Sequence, residues 1–308
     1  MYRYENLAEM YHDMSHRLFE EGSKVCPRGQ ETHELIAPEI YLNSPIDNLA
    51  FLKERRYNLV YSVAESMLLI SKKDETKYFT RFNPNMANFS DNGVTLNGSY
   101  GYRIADKIDD AVNRLKSDHD SRQAVLTIYQ NDVTKITKDP PCTMNLHFLI
   151  RDNKLNLIVY MRSNDIIWGT PYDVFMFTTL QRLIANQLGI YVGWYRHIPS
   201  SFHVYSKHYD LLKAMKDCEA VTTYLPFNVD DYRKMASDYI NFIDNDEVRY
   251  TKILEPDGNV ANIEAKKVLN LFYNQATYKD AEFGIKNNYQ ITDNIPDWSR
   301  KFVTRWYR

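Results

Sequence analysis

The chain has 308 residues and a net charge of −2, from 38 lysines and arginines against 40 aspartates and glutamates. This balance gives no electrostatic basis for a protein that coats nucleic acid, although a local arginine cluster could still bind a small anion. Hydrophobic residues make up 44% of the chain and charged residues 25%, which is typical of a soluble globular protein that can bury a core.

The cysteines exclude further classes of protein. There are three, Cys26, Cys142 and Cys218, and none has the spacing of a metal ligand set. An odd and sparse set argues against a disulfide framework and favours a reducing cytoplasm. The N-terminus lacks an apolar signal core, and no apolar run approaches the length of a membrane span.

Hydrophobic periodicity predicts the elements of the first half of the chain. Apolar residues at helical spacing predict helices over residues 3–21, 56–71 and 104–116, with Gly22 ending the first. Between them we expect a polar loop over 23–34, a short apolar strand over Leu35–Leu42 and an irregular, Asn-rich stretch over 74–99.

The second half alternates strands with one long helix. Strands are predicted over Ala124–Tyr129, Thr143–Ile150, Leu155–Met161 and Phe202–Tyr205, the middle two joined as a hairpin by Arg151–Lys154. A strongly apolar helix is predicted over Pro171–Leu188, closed by Gly189. The last hundred residues mix helical pieces without recognisable chemistry. With no repeat or linker, one domain over 1–308 is expected.

Cys142 is the candidate nucleophile. It follows Pro140 and Pro141, which fix its approach and leave the thiol at the start of a strand. A nucleophilic thiol needs a depressed pKa, which nearby arginines would supply. A free cysteine is more often a buried structural thiol, so the residue alone leaves both readings open.

Arginines supply candidate anion sites. Arg162 beside Ser163 suits bidentate capture of a phosphate, and Arg122 and Arg28 are further candidates, although each alone fits a solvated surface residue equally well. Glu65 interrupts an apolar helix face, where burial would raise its pKa toward neutrality. It could also lie at the helix edge and reach water.

His203 and Tyr205 lie two residues apart on a predicted strand, so both side chains point to one face. Together they could pair with a sugar hydroxyl, or they could be two structural polar residues. Cys218 and His147 are interpreted as structural.

The segment from Arg162 to Asp173 resembles the signature of the thymidylate synthase family, Arg-Ser-x-Asp-x-x-x-Gly-x-Pro-x-Asn. The resemblance covers residues 3–210 and is strongest over 118–208. Further family motifs follow in the family order: Arg28-Gly29, Val63-Ala64-Glu65, Asn97-Gly-Ser-Tyr100-Gly101, Asp120-Ser121-Arg122, Pro141-Cys142 and His203-Val-Tyr205.

The resemblance implies a role for each of these positions. Catalytic roles fall on Cys142, Glu65, Tyr100 and Asp173. Substrate binding falls on Arg28, Arg122, Arg162, Ser163, Asp165, Gly169, His203 and Tyr205. Contacts to 5,10-methylenetetrahydrofolate, the implied co-substrate, fall on Glu65, Asp165, Trp168 and Gly169, and no metal is implied.

The implied fold is α+β, a three-layer domain around a large mixed β-sheet, with two copies paired sheet to sheet in a homodimer. Arg122 would reach the substrate phosphate of the partner chain. Residues 210–308 match the family poorly and form a divergent C-terminal part.

The most informative departure from the family is Asp173, where a synthase carries the asparagine that discriminates uracil. An ionised carboxylate accepts from the 4-amino group of cytosine, and a protonated one can also donate to N3. The resemblance is therefore to the cytidylate hydroxymethylase branch. Met86 and Phe89 occupy the positions where synthases usually carry two tryptophans, and loss of these indoles would admit water to the site. Gln123 and Thr143 also differ from the residues that synthases usually carry.

The predicted activity is transfer of a one-carbon unit from methylenetetrahydrofolate to C5 of a cytosine nucleotide, with addition of water. Deoxycytidylate is favoured over cytidylate by His203-Val-Tyr205. The alternatives are a deoxyuridylate hydroxymethylase, a divergent thymidylate synthase, and a non-catalytic nucleotide- or RNA-binding relative. Hydroxymethylated cytosine indicates modified phage DNA or a nucleoside antibiotic pathway, and the Asn-, Lys- and Tyr-rich composition favours phage, hence a host cytoplasm. No nucleic-acid or membrane partner is expected.

Overall fold

A computed structural model describes residues 1–52, 55, 58–130, 136–215, 220–223 and 229–245. Its largest element is a six-stranded mixed sheet in the order β1-β4-β10-β8-β7-β6. The strands are β1 Tyr2–Tyr4, β4 Ile40–Leu42, β6 Val125–Thr127, β7 Thr143–Arg151, β8 Lys154–Met161 and β10 Tyr191–Pro199. β10 runs parallel to β8 and antiparallel to β4, so the sheet is mixed.

A second sheet carries much of the predicted site. It has four strands in the order β2-β3-β11-β9, namely β2 Ser23–Val25, β3 Thr32–Ile36, β9 Asn164–Asp165 and β11 Ser201–Tyr205. β5 Leu49–Leu52 and β12 Ala220–Thr223 form a separate antiparallel pair. Register in the second sheet places His203 beside Asp165, which joins two of the predicted motifs.

Eight α-helices are described: α1 Leu7–Glu21, α2 Leu59–Leu69, α3 Thr76–Thr80, α4 Tyr100–Ile104, α5 Ile108–Ser117, α6 Thr170–Leu188, α7 Tyr209–Met215 and α8 Val229–Asn245. The Asn6 side chain caps α1 by accepting from the Glu9 amide at 3.0 Å. Proline in its first turn and Gly189 in the left-handed conformation (φ 69°) bound α6.

The core lies between the large sheet and helices α1 and α6. Its largest buried cluster includes Phe148, Leu157 and Val159 from the sheet and Phe177 from α6. Because α6 is buried on most sides, polar residues in its first turn must find partners inside the protein.

The opposite face of the large sheet carries partly exposed aromatic and apolar side chains. They include Tyr41, Ile158, Tyr160, Trp194 and Ile198. Arg196 lies over the rings of Tyr41 (5.5 Å) and Trp194 (4.8 Å) on this face.

The α+β class and the large mixed sheet are confirmed. So are the hairpin, whose turn residues Asp152 and Asn153 both have positive φ (53° and 55°), and the helix closed by Gly189. Pairing of two chains, the three-layer arrangement and the extent of the domain stay predictions. Residues 246–308, and Cys218, lie outside the described residues.

Several predicted boundaries are wrong. The first helix starts at Leu7, because residues 2–4 pair with β4 as a strand. The predicted loop over 23–34 contains β2 and the start of β3. The predicted strand over 35–42 is interrupted at Ala37, whose φ of 47° turns the chain before Pro38. The helix over 104–116 is split by a 3-10 turn at Ala105–Lys107.

Two further regions differ from expectation. The stretch over 74–99 contains α3 and a 3-10 turn at Pro84–Phe89. β10, which is central to the large sheet, has no counterpart among the predicted elements. No helix in the described part of the chain is long and apolar enough to cross a membrane.

Candidate active site

Cys142 lies immediately before β7, and Arg162 lies immediately after β8, the other arm of the hairpin. The Arg162 guanidinium donates to the carbonyl oxygens of Pro141 (2.9 Å) and Pro140 (2.8 Å), and its Nη2 lies 3.5 Å from the Cys142 Sγ. The Arg162 amide also donates to the Cys142 carbonyl at 2.9 Å. One arginine therefore fixes the cysteine segment and places a positive charge beside the thiol.

The expectation of a depressed thiol pKa is wrong for the chain by itself. Burial raises the pKa of Cys142 to about 11, and the lowering by Arg162 is opposed by Asp173 and Asp139. Desolvation of the thiolate thus outweighs the single close cation. The thiol is protonated until a reaction partner or further positive charge favours its ionisation.

Glu65 lies on α2 and faces a cavity of about 130 Å³, which Tyr100, Asp139 and Asp173 also line. Burial raises the pKa of Glu65 to about 7, while a hydrogen bond from Tyr61 (3.1 Å) opposes this rise. The predicted neutral-range carboxyl is therefore confirmed in direction and cause. Such a group can both take and give a proton near neutral pH.

Asp173 lies in the first turn of α6. Its Oδ2 accepts from Asn164 Nδ2 at 2.8 Å. Burial, with the nearby Glu65 charge, raises the pKa of Asp173 well above its ordinary value, although the Asn164 bond lowers it. The neutral acid, which presents one donor and one acceptor, is therefore favoured.

Gly169 allows this first turn to approach the strand segment before it. A Cβ at residue 169 would lie 2.8 Å from Asn164 Nδ2 and 3.1 Å from Asp173 Oδ2. These distances are shorter than van der Waals contact, so any side chain would push the two polar groups apart. Gly169 is a positioning residue for Asp173.

Tyr100 begins α4 and stacks on Phe177 of α6, with ring centroids 6.0 Å apart. Burial raises the pKa of its hydroxyl well above the ordinary value, with nearby Asp173 and Cys142 adding to the rise. The phenol therefore stays protonated. Together with Glu65 and Asp173 it makes the cavity polar on one side.

The predicted sugar residues His203 and Tyr205 lie on β11 of the second sheet, and Arg28 reaches them from the turn between β2 and β3. The rings of His203 and Tyr205 are 5.2 Å apart, and Arg28 Nη2 lies 3.5 Å from the Tyr205 hydroxyl. Arg28 occupies a 3-10 turn with a positive φ of 55°, a conformation unusual for a residue other than glycine. Ser163 lies half-buried next to Arg162.

Arg122 is not part of this cluster in the same chain. Its side chain is exposed just before β6, and its carbonyl oxygen contacts His147 Nε2 at 3.1 Å. Within the described part of the chain no contact joins the Arg122 guanidinium to the Cys142 site. Gln123 accepts from Arg114 at 2.6 Å instead of facing the site.

The side predicted to bind folate combines a turn and an exposed indole. Asp165 Oδ1 accepts from the amides of Ile167 (2.7 Å) and Trp168 (3.2 Å), which fixes the turn before α6. The Trp168 ring is 50% exposed and its Nε1 contacts His208 Nε2 at 2.7 Å. Met86 lines the cavity, whereas Phe89 is largely exposed.

Three polar residues at the site are not predicted from the sequence. Asp139 lines the cavity and accepts from the Gly98 amide at 2.7 Å, and burial raises the pKa of its carboxyl. Asn164 contacts Asp173, and His197 contacts Asn164 at 3.0 Å. Asn164 occupies a variable position of the signature, so the motif carries no signal for it.

Comparisons with known proteins show the family of the chain. The thymidylate synthase family model matches residues 9–243, which include every predicted site residue. The chain is 35% identical over 221 residues to a deoxyuridylate hydroxymethyltransferase of Bacillus phage SP01, covering 66% of this chain and 58% of the relative.

Two further relatives are more distant. A deoxyuridylate hydroxymethyltransferase of Pseudomonas phage M6 is 30% identical over 190 residues, covering 59% of this chain and 54% of the relative. A thymidylate synthase of Bacillus atrophaeus is 27% identical over 161 residues, covering 45% of this chain and 71% of the relative. The chain thus spans little more than half the length of the two hydroxymethyltransferases.

Proposed function

The chain belongs to the thymidylate synthase family, and from that premise we propose that it hydroxymethylates a pyrimidine nucleotide, with deoxycytidylate as the substrate. The reaction joins the nucleotide, methylenetetrahydrofolate and water to give the 5-hydroxymethyl nucleotide and tetrahydrofolate. The observation that carries the proposal is the half-buried carboxyl of Asp173 in the cavity of Glu65 and Tyr100.

Cys142 is the proposed nucleophile. Its sulfur adds to C6 of the pyrimidine, and the electron pair of the C5–C6 double bond makes C5 nucleophilic toward the one-carbon unit. Because the thiol is protonated in the chain by itself, it must lose its proton as the C–S bond forms. The Arg162 guanidinium, 3.5 Å from Sγ, stabilises the negative charge that develops on sulfur.

The residues that would hold a folate are Trp168, Asp165 and Glu65, of which Glu65 lines the cavity. Trp168 offers an exposed flat ring, Glu65 and Asp165 offer carboxyls, and the carboxyl of Glu65 is at a pKa where it can exchange protons. When bound, methylenetetrahydrofolate supplies a one-carbon unit at the oxidation level of formaldehyde. The protein's task is to bind it against the nucleotide and control protons and water.

Glu65 is the proposed base for the proton steps. It first takes the C5 proton and passes it to the folate nitrogen as the bond between that nitrogen and the methylene carbon breaks, so that tetrahydrofolate is released and an exocyclic methylene remains on the pyrimidine. It then activates water. Water adds to the exocyclic methylene carbon, its proton goes to the base, and elimination of Cys142 restores the ring double bond. A second carboxyl, Asp139, lies on the same cavity wall. Two carboxyls and the flexible Met86 in place of an indole make this a site that admits water.

Asp173 is the proposed base-reading residue. As a neutral acid it can accept from the 4-amino group of cytosine and donate to N3. A mismatched base leaves these buried groups unpaired, which discriminates more strongly than a difference in shape.

Deoxyuridylate is the second candidate substrate, and the two phage relatives favour it by name. A neutral carboxyl also matches uracil, if it accepts from N3–H and donates to O4. For Asp173, pairing with cytosine and pairing with uracil therefore differ only in which of its two carboxyl oxygens carries the donated proton.

A homodimer is proposed to complete the phosphate site. The partly exposed face of the large sheet, with Tyr41, Ile158 and Trp194, is a surface that a second copy would cover. The exposed Arg122 would then reach the partner's site, where it would join Arg28 and Arg162 on the phosphate.

Two measurements test the proposal. Release of tetrahydrofolate, rather than dihydrofolate, separates hydroxymethyl transfer from thymidylate synthesis. An Asp173→Asn chain should gain activity on deoxyuridylate relative to deoxycytidylate. If that variant keeps a preference for cytosine, the base-reading role of Asp173 is wrong.

A further inference from the structure

A continuous hydrogen-bonded row of four side chains, three of them buried, ends on the half-buried Asp173. The Tyr195 hydroxyl lies 2.9 Å from His197 Nδ1, His197 Nε2 lies 3.0 Å from Asn164 Oδ1, and Asn164 Nδ2 lies 2.8 Å from Asp173 Oδ2. Tyr195, His197 and Asn164 are at most 2% exposed. None of the three touches the cavity, and the reaction described above does not use them.

The row has a defined direction. Asn164 Oδ1 also accepts from the Thr170 hydroxyl at 2.5 Å, and the amide nitrogen of Asn164 faces Asp173. His197 must then carry its proton on Nε2 to donate to that oxygen. Its Nδ1 is left as an acceptor for the Tyr195 hydroxyl, and every group in the row has a matched partner.

His197 cannot reverse this direction by gaining a proton. Burial lowers the pKa of its imidazole to about 3, so it stays neutral. A neutral imidazole carries one proton, and donation to the Asn164 oxygen places that proton on Nε2.

The direction of the row determines which of the two oxygens of Asp173 carries the proton. A carbonyl oxygen is a better acceptor than the hydroxyl oxygen of the same acid, so the bond from Asn164 favours Oδ2 as the carbonyl oxygen. In the neutral acid the proton then resides on Oδ1. Asp173 therefore donates through Oδ1 and accepts through Oδ2, and the reverse arrangement is disfavoured.

We propose that Asn164, oriented by His197 and Tyr195, is the positioning residue that sets the order of donor and acceptor on Asp173 and thereby selects the substrate base. The inference rests on the proposed function, since it concerns the same carboxyl. It goes beyond it, because a neutral Asp173 alone could pair with cytosine or uracil. The selection is assigned to residues that do not touch the nucleotide.

Asn164→Ala tests the assignment, with Asn48→Ala as a matched control. Asn48 is also a buried asparagine that donates to α6, at Thr178 (3.1 Å) and Thr179 (3.2 Å), away from Asp173. The quantity to measure is the ratio of kcat/KM for deoxycytidylate to that for deoxyuridylate. Where turnover is absent, the ratio of calorimetric Kd values for the two nucleotides measures the preference in binding.

Whichever base the wild type prefers, Asn164→Ala should reduce the preference by at least about tenfold, because the proton of Asp173 is no longer confined to one oxygen. Asn48→Ala should leave it unchanged. An unaltered preference in Asn164→Ala, or an equal loss in both variants, overturns the inference. A wild type that prefers uracil contradicts the deoxycytidylate proposal but leaves this comparison intact.

A second measurement does not depend on the folding of Asn164→Ala. Nitrogen-15 NMR of the histidines in the wild type, compared with the His197→Asn chain for assignment, reports which ring nitrogen carries the proton. The inference expects a neutral His197 protonated on Nε2 at pH 6. Protonation on Nδ1 means that Asn164 presents its oxygen to Asp173, and that result overturns the inference.

Discussion

Arg162 Nη2 lies 3.5 Å from Cys142 Sγ, although twenty residues separate the two in sequence. The β7–β8 hairpin brings them together, because the cysteine precedes its first strand and the arginine follows its second. The same guanidinium holds two carbonyl oxygens of the cysteine segment. Arg162 therefore both fixes the backbone of the cysteine segment and places a positive charge beside the thiol.

Replacement of Arg162 by lysine should separate these two roles. Lysine keeps the charge but cannot reach Pro140, Pro141 and Cys142 with one planar fork. We expect kcat to fall at least tenfold and the free energy of unfolding to fall by about 2–3 kcal/mol, as for lost charge-assisted hydrogen bonds. Urea unfolding and steady-state kinetics measure both, with the exposed Arg151→Lys as control. Equal changes in kcat and in unfolding free energy for the two variants would show that Arg162 does not fix the cysteine segment.

Glu65→Gln should change activity and stability in opposite directions. Native Glu65 has a pKa of about 7 against an ordinary value of 4.5, so its ionisation favours the unfolded chain. The contribution of its neutral form to stability is full below pH 4.5 and is lost as pH rises through about 7. The glutamine variant should therefore be more stable than the wild type at pH 8, by about 1–3 kcal/mol, and not at pH 4.5.

The same variant should lose about 10²–10⁴-fold in kcat, as expected for removal of a general acid or base. Urea unfolding at the two pH values, together with turnover at pH 7.5, gives the comparison. A stability gain that does not depend on pH would show that burial of Glu65 is not the cause of its shift.

Gly169→Ala tests the close approach of α6 to Asn164. Because φ at Gly169 is −103°, alanine meets no backbone strain there. Its Cβ would instead meet Asn164 Nδ2 at 2.8 Å, the Asp165 carbonyl oxygen at 3.0 Å and Asp173 Oδ2 at 3.1 Å. We expect a stability loss of about 1–3 kcal/mol and a reduced preference between bases. Gly189→Ala is the control, since its φ of 69° makes alanine cost about 1 kcal/mol in stability while the active site is untouched. Wild-type base preference in Gly169→Ala would argue against the positioning role.

Mixed dimers test the role of Arg122. Arg122→Ala and Cys142→Ala chains should each be nearly inactive. Mixed in equal amounts after unfolding, half of the dimers should contain one intact site, so about a quarter of the wild-type activity should return. If Arg122 acts within its own chain, neither site of a mixed dimer is intact and no activity returns.

The sequence predicted the parts of the site that follow from local pattern. The hairpin of β7 and β8 is clear from its apolar strands and turn, and it alone brings Cys142 to Arg162. Glu65 was recognisable as a carboxyl inside an apolar helix face. Both inferences depend on short-range spacing, which a single sequence displays directly.

Strand β10 was missed because its pattern is not that of an ordinary buried strand. It carries Gly193, Arg196 and Pro199, and two of its inward positions are the polar residues Tyr195 and His197. Their polar groups are satisfied inside the protein, because Tyr195 hydrogen-bonds to His197 and His197 hydrogen-bonds to Asn164, which lies more than thirty residues earlier. A pairing across that separation leaves no periodic trace in the sequence. The thiol pKa was mispredicted for the same reason, since the burial and carboxyls that raise it are tertiary features.

The proposed function is tested most directly by incubation of the protein with methylenetetrahydrofolate and deoxycytidylate, cytidylate or deoxyuridylate, with the product mass as readout. We expect deoxycytidylate to gain one CH₂O unit and tetrahydrofolate to be released. Gain of a CH₂ unit by deoxyuridylate, with release of dihydrofolate, would identify a thymidylate synthase and contradict the proposed function.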